Sequence, residues 1–178
     1  MTDAMEQLAM AGGRLEIALE PLATPAAFGR EQVEFRVASH PKQPLGPLSR
    51  VASGGELSRI ALAIQVVTSE VAAVPTLVFD EVDAGIGGAV AATVGKLLQA
   101  LGAHRQVLCV THLPQVATFA DAHFRVTKRG DDATVRAVVE TLNLGGRVEE
   151  LARMLAGSAI TAKSRAHAKE LLEQHRRR

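Results

Sequence analysis

Apolar and polar residues change their spacing several times along this chain. "RLEIALE" (14–20) and "QVEFRVA" (32–38) alternate, which predicts two half-buried strands paired antiparallel, with a loop around Pro25. "SHPKQPLGPL" (39–48) holds three prolines and a glycine and reads as a loop. From about 54 to 72 the spacing becomes helical, with Leu57, Ile60, Ala61, Ile64, Val67 and Val71 on one face. "TLVF" (76–79) is unbroken apolar sequence, as expected of a strand buried on both faces. A second helix spans about 87–101, with Val90, Val94, Leu97, Leu98 and Leu101 on one side, and "QVLCV" (106–110) is a second buried strand. Strand, helix and strand in that order form a βαβ unit, so the two strands run parallel. "HFRVTKRG" (123–130) and "TVRAVVETL" (134–142) predict a hairpin around Asp131 and Asp132, and two helices follow, roughly 146–156 and 161–175. "MTDAMEQLAMAG" reads as a helix ending at Gly12-Gly13. The fold class is α/β: a parallel sheet core with a βαβ unit, flanking helices and a small antiparallel portion.

The 178 residues suffice for one domain, and a hydrophobic share of 47% argues against disorder. No apolar run reaches membrane-spanning length and no signal-peptide pattern opens the chain, so a cytoplasmic protein without membrane contact is expected. A formal net charge of +1 points to no partner; any basic surface is local. The single cysteine, Cys109, rules out an internal disulfide and sits in an apolar strand, where a small buried hydrophobe is expected rather than a reactive thiol. Cys/His spacing of the zinc type does not occur.

In a parallel sheet, ligands bind beyond the carboxyl ends of the strands. The first buried strand runs into Asp80 and Glu81, the second into Thr111 and His112. Topology therefore predicts two carboxylates and an imidazole at one edge. An aspartate ending a buried strand suits Mg²⁺, which keeps most of its waters and takes one or two carboxylates plus phosphate oxygens. Side chains alternate along a strand, so Glu81 points elsewhere, where it can orient or deprotonate an attacking water. His112 can bond a terminal phosphate or position that water.

"VASGGELSRIALA" (51–63) places Ser53, Gly54, Gly55 and Glu56 where the helical pattern begins. Ser-x-x-Glu is a capping box, with Glu56 reaching back to the cap amide. Two glycines weaken a helix by roughly 1 kcal/mol each relative to alanine, yet leave bare N–H groups open to an anion at the positive helix end. Cap and phosphate site both remain open on these residues. The phosphate cradle G-x-x-x-x-G-K-[ST] does not occur; "GAVAATVGKLL" (88–98) has the wrong spacing and lies within a predicted helix.

These motifs resemble those of ABC-type ATPases. "SGGELSR" (53–59) resembles the signature motif, "TLVFDE" (76–81) the Walker B strand, "VDAGI" (82–86) the D-loop, and His112 the switch histidine. The longer wording "VASGGELSR…FDEVDAGIGG…VTHLPQVA" resembles the carboxy-terminal part of the RecN family of SMC-like DNA-repair ATPases. In that family a Walker A lobe, a coiled coil and a signature/Walker B lobe follow one another. The resemblance thus implies a carboxy-terminal half-head over 13–178, preceded by the stump of a coiled-coil arm over 1–12. It implies ATP and Mg²⁺ as ligands, with Asp80 holding the metal, Glu81 as general base and His112 sensing the γ-phosphate. It further implies that Ser53, Gly54, Gly55 and Glu56 contact ATP held by an opposing head, and that Asp83 communicates across the resulting homodimer. The partners implied are the amino-terminal half of its own head, a second copy, and DNA in the complete protein, with a cytoplasmic, nucleoid-associated location. Two alternatives stand beside this. One is a self-contained Mg²⁺-dependent phosphohydrolase using Asp80, Glu81 and His112. The other is a non-catalytic DNA-binding module using the last helix, where Lys163, Arg165, His167, Lys169 and "HRRR" (175–178) are interspersed with Glu170 and Glu173.

Overall fold

The computed structural model describes residues 2–50, 54–68, 74–130, 136–157 and 159–175. Two compact units divide the chain, residues 1–110 and 111–178.

The first unit opens with α1 (Thr2–Gln7), followed by β1 (Arg14–Ala26) and β2 (Gly29–Ala38), which pair antiparallel. The strands run through Pro25, and the chain reverses at Ala27 and Phe28, beyond the predicted loop; Ala26 pairs with Gly29, whose φ of +132° suits glycine. The expected loop over 39–48 contains a two-residue strand, β3 (Gly46–Pro47), which pairs with β2. Then come α2 (Gly54–Val67), β4 (Thr76–Phe79), α3 (Gly88–Leu101) and β5 (Gln106–Cys109). β4 and β5 are parallel, with Phe79 opposite Cys109, as the βαβ spacing predicts. Met5, Leu8 and Met10 are among the most deeply buried side chains, so the segment over residues 2–12 is packed into this unit, with α1 against α2 and β1.

Two expectations of burial change. The apolar stripe read on α2 coincides only in part with its buried face, sharing Ile60 with it. Gly55, Arg59, Ile60, Leu62 and Ala63 face inward, whereas Leu57 and Val67 are 44% and 53% exposed; Val71 lies outside the described residues. The inward face is the one where a glycine allows close approach to the turn after β4. The parallel strands are covered on one side only. Phe79 is buried, but Val78, Leu108 and Val110 on the opposite face are 67%, 44% and 63% exposed. The β1–β2 pair repeats this: Ile17 and Leu19 share a face with Phe35 and Val33, all exposed. On its other face Arg36 pairs with Glu20 and Glu34.

The second unit contains α4 (Pro114–Ala117), the hairpin β6 (Phe124–Arg129) and β7 (Arg136–Thr141), α5 (Leu144–Ala156) and α6 (Ala162–His175). The predicted turn residues Asp131 and Asp132 lie outside the described residues. Ala117, Leu151, Ala152, Ala168 and Leu172 form its core, with Val148, Met154, Leu155 and Ile160 packed against it. Asn143 caps α5, its Oδ1 accepting from the Gly146 amide at 2.8 Å. At α6, Thr161 Oγ1 accepts from the Ser164 amide at 3.1 Å while Ser164 Oγ accepts from the Thr161 amide at 2.9 Å, a reciprocal cap. Among the described residues no helix is long and apolar enough to cross a membrane.

Candidate functional site

The end of β4 and the start of α2 meet. Asp80 follows the last strand residue and is exposed; its carbonyl accepts a hydrogen bond from Ser58 Oγ at 2.6 Å. Glu81 then adopts φ +56°, a left-handed conformation that L residues with a Cβ occupy at a cost. This single residue ends the strand and throws the chain into a turn closed by the Ala84 amide donating to the Glu81 carbonyl at 3.0 Å. Alternation of strand side chains therefore stops at Asp80, and Glu81 takes its direction from the turn. Val82 and Asp83 go inward, at 0% and 2% exposure. The half-buried Cys109 thiol is pushed up to about 12, first by burial and then by the Asp83 and Asp80 carboxylates. That agrees with the inert thiol expected from the sequence.

The two glycines at the start of α2 have different surroundings. A Cβ on Gly55 would stand 2.7 Å from Ala84 Cβ and 3.0 Å from its carbonyl oxygen, so only glycine fits between helix and turn. Gly54 is exposed, and a Cβ there would meet Glu81 Oε2, the movable tip of a side chain, at 2.7 Å. Gly55 thus has an intramolecular reason to be glycine, and the bare backbone open to a ligand is that of Gly54. Ser53 lies outside the described residues. Glu56 accepts a bond from Ser39 Oγ at 3.1 Å, which ties the start of α2 to the end of β2.

Arg59, Ser58 and Ser39 were not among the residues singled out from the sequence. Arg59 is 7% exposed, and its Nη1 donates to the Ala84 carbonyl at 2.7 Å. Burial holds its pKa below the ordinary arginine value, against the opposing pull of Glu56. The signal was present: Arg59 lies one helical turn after Gly55, on the same face.

Parallel pairing brings the carboxyl ends of β4 and β5 together, with the Val110 amide donating to the Phe79 carbonyl at 2.9 Å. Asp80 and Glu81 follow the first end. Thr111 and His112 follow the second and open the second unit, where Thr111 Oγ1 accepts from the Leu113 amide at 3.0 Å and His112 is exposed. Among the described residues no three His, Cys, Asp or Glu side chains gather as metal ligands. A lone exposed carboxylate at a strand end fits magnesium, which takes few protein ligands.

The charged face of α6 is solvated and partly paired. Arg165 Nε meets Glu149 at 2.7 Å and Lys169 meets Glu173 at 3.8 Å; residues 176–178 lie outside the described residues. Elsewhere in this unit Glu150, 6% exposed, is held by Arg153 at 2.6 Å and Arg125 at 3.8 Å. Those arginines, Arg153 first through its hydrogen bond, keep its pKa below the usual carboxylate range.

No known protein-family profile matches the chain. Curated relatives do. The DNA repair protein RecN of Xylella fastidiosa (strain Temecula1) is 48% identical over 175 residues, covering 97% of this chain and 31% of that protein. RecN of Deinococcus radiodurans is 48% identical over 168 residues, covering 94% and 29%. Among solved structures, the Smc head domain with a coiled coil and joint from Pyrococcus yayanosii matches 84% of this chain and 27% of that one, at TM-score 0.59 and 23% identity. A chain from a study of ATP-driven dimerization and DNA-stimulated activation of SMC ATPases matches 89% of this chain and 90% of that one, at TM-score 0.53 and 20% identity. These likenesses establish an SMC-type head fold. The chain spans about 31% of the length of the curated relatives it matches. Over that shared third, at 48% identity to these two relatives, the chain belongs to the RecN family.

Proposed function

We propose that this chain is the carboxy-terminal head segment of an ATP-hydrolysing DNA-repair protein, acting in a composite site closed by head dimerisation. The observation that carries the reading is the joint between the start of α2 and the 80–84 turn, which gathers the signature-like and Walker B-like residues within one unit. In this reading Glu81 accepts the proton of the water attacking the terminal phosphate, and its own left-handed backbone, which opens the turn, frees it from strand alternation. Asp80 is the carboxylate available to Mg²⁺, which when bound neutralises phosphate charge. Ser53, Gly54, Gly55 and Glu56 form the helix start offered to ATP on an opposing head, with the exposed backbone of Gly54 open to the phosphate and the helix dipole favouring an anion. His112 contacts the γ-phosphate. Asp83 is buried, so communication across the dimer runs through the backbone of its turn rather than its carboxylate.

The uncovered faces of β4–β5 and β1–β2 support a second element of the reading. They seat the amino-terminal part of the longer protein, which brings the phosphate cradle. Residues 1–12 lead from the coiled-coil arm into the lobe over 13–178. DNA is a partner of the complete protein, in the cytoplasm at the nucleoid.

The test is Glu81→Gln in the complete protein. Loss of the general base lowers turnover by about 10²–10⁴-fold while ATP binding and the closed dimer persist. Near-parental hydrolysis would remove Glu81 from the chemistry. The isolated chain releases no phosphate from ATP above background; sustained turnover at about 1 s⁻¹ would instead establish a self-contained phosphohydrolase.

A further inference from the structure

Arg59 is an expensive residue in its place. It is nine-tenths buried, its Nη1 reaches the Ala84 carbonyl at 2.7 Å, and its Nε has no hydrogen-bond partner among the described residues. A buried, incompletely satisfied cation costs stability that an apolar side chain of similar length would not. Its environment shows what that cost secures. The acceptor is the last residue of the turn that begins at Glu81, and a Cβ on Gly55, one helical turn earlier, would collide with the same residue. Ser58 holds the other end of the turn through the Asp80 carbonyl at 2.6 Å. The turn itself starts from a strained backbone, Glu81 at φ +56°, which persists only where neighbours over-determine it.

We propose that Arg59 is the positioning residue of this site: its guanidinium, by holding the Ala84 carbonyl against α2, fixes the Glu81 turn relative to the signature-like helix start. Arg59 touches no reacting group; it acts through the backbone. The inference rests on the ATPase reading of Glu81. It adds that helix start and base move as one piece, so that whatever displaces the start of α2 also displaces Glu81. A shift of about 1 Å in a reacting group can cost up to about 10²-fold in rate.

The experiment uses the complete protein with Arg59→Met, which keeps length and removes the donor, and Arg59→Lys, which keeps one donor. Glu81→Gln is carried alongside. Steady-state ATPase kinetics are measured together with hydrogen exchange of residues 80–86. Arg59→Met is expected to lower kcat by about tenfold or more with KM for ATP within about threefold. Exchange across 80–86 should quicken by about tenfold while α3 is unchanged, and Arg59→Lys should recover part of both. If Arg59→Met does not fold, Arg59→Lys is read alone, and an intermediate kcat with intermediate exchange supports the role. Unchanged exchange beside an inactive Glu81→Gln overturns the role of Arg59 and leaves the ATPase reading standing. Faster exchange with unchanged kcat makes the contact merely structural and overturns the positioning role. Near-parental turnover in Glu81→Gln overturns the ATPase reading, and the positioning role with it, whatever the exchange shows about the contact.

Discussion

The helices of the second unit and the sheet of the first treat their apolar residues differently. α5 and α6 close a core of their own, with Leu151 and Ala152 at 0% exposure, both helix starts capped and Glu150 neutralised by two arginines. β4 and β5 are mostly apolar, yet Val78 and Leu108 are 67% and 44% exposed. The difference teaches that a hydrophobic pattern records the burial a segment needs, not which part of a protein supplies it. Parallel strands occur almost entirely in sheets covered on both faces.

The largest effect that would break this comparison is in the core. Leu151→Ala should cost about 2–5 kcal/mol through lost burial and the cavity left behind. Val78→Ala should change the stability of this chain by no more than about 0.5 kcal/mol. Urea unfolding followed by circular dichroism measures both, and equal losses would show the strand face to be covered after all.

A smaller effect sharpens the picture of the joint between α2 and the turn. Gly55→Ala forces a methyl group to within 2.7 Å of Ala84 Cβ and should cost about 1–3 kcal/mol as overpacking. Gly87→Ala, at extended backbone with nothing within 4 Å of the new carbon, should be neutral to within about 0.5 kcal/mol. Thermal melting of the two variants separates a glycine required by close approach from one that is not.

Glu150→Gln should cost about 1.5–3 kcal/mol at neutral pH, the worth of a hydrogen bond to a charged group. Because the folded-state pKa lies below the unfolded value, that contribution is present above the unfolded carboxylate value of about 4.3 and is lost as pH falls through the depressed one. Parent and variant should therefore converge in stability once the pH has fallen below the depressed value. A gap that persists there would mean that packing, not charge, is what Glu150 contributes. The smallest effect is at the exposed cap of α5, where Asn143→Ala should cost about 0.5–1 kcal/mol in the same melting experiment. No loss there would mean that the core alone holds α5.

Elements with a strong period were legible. The βαβ unit, the hairpins and the last two helices follow from spacing alone, because each repeats its pattern over enough residues. Two things were hidden. The turn after β1 lies at Ala27-Phe28 because Pro25 sits in the hairpin beyond the Pro21–Glu31 pairing, where the register shifts. The buried face of α2 carries an arginine and a glycine, which a count of apolar residues cannot select. At the candidate site, the chemistry of Asp80 and Glu81 could be read from a strand ending in carboxylates. The left-handed Glu81 and the Arg59 contact could not, since both arise from how a helix start fits a turn 25 residues away.

The half-buried thiol at the end of β5 makes the chain its own reporter. With its thiol pushed up to about 12 by burial and by the neighbouring carboxylates, Cys109 holds far less thiolate at neutral pH than a free cysteine. Cys109 is the single cysteine of the sequence. Its alkylation is thus a slow clock whose rate rises when the ends of β4 and β5 open to water or when the neighbouring carboxylates lose their charge. An engineered surface cysteine can be labelled selectively without removing the native one. The native thiol in turn times the opening of the sheet edge that bears Asp80, with no probe added to that edge.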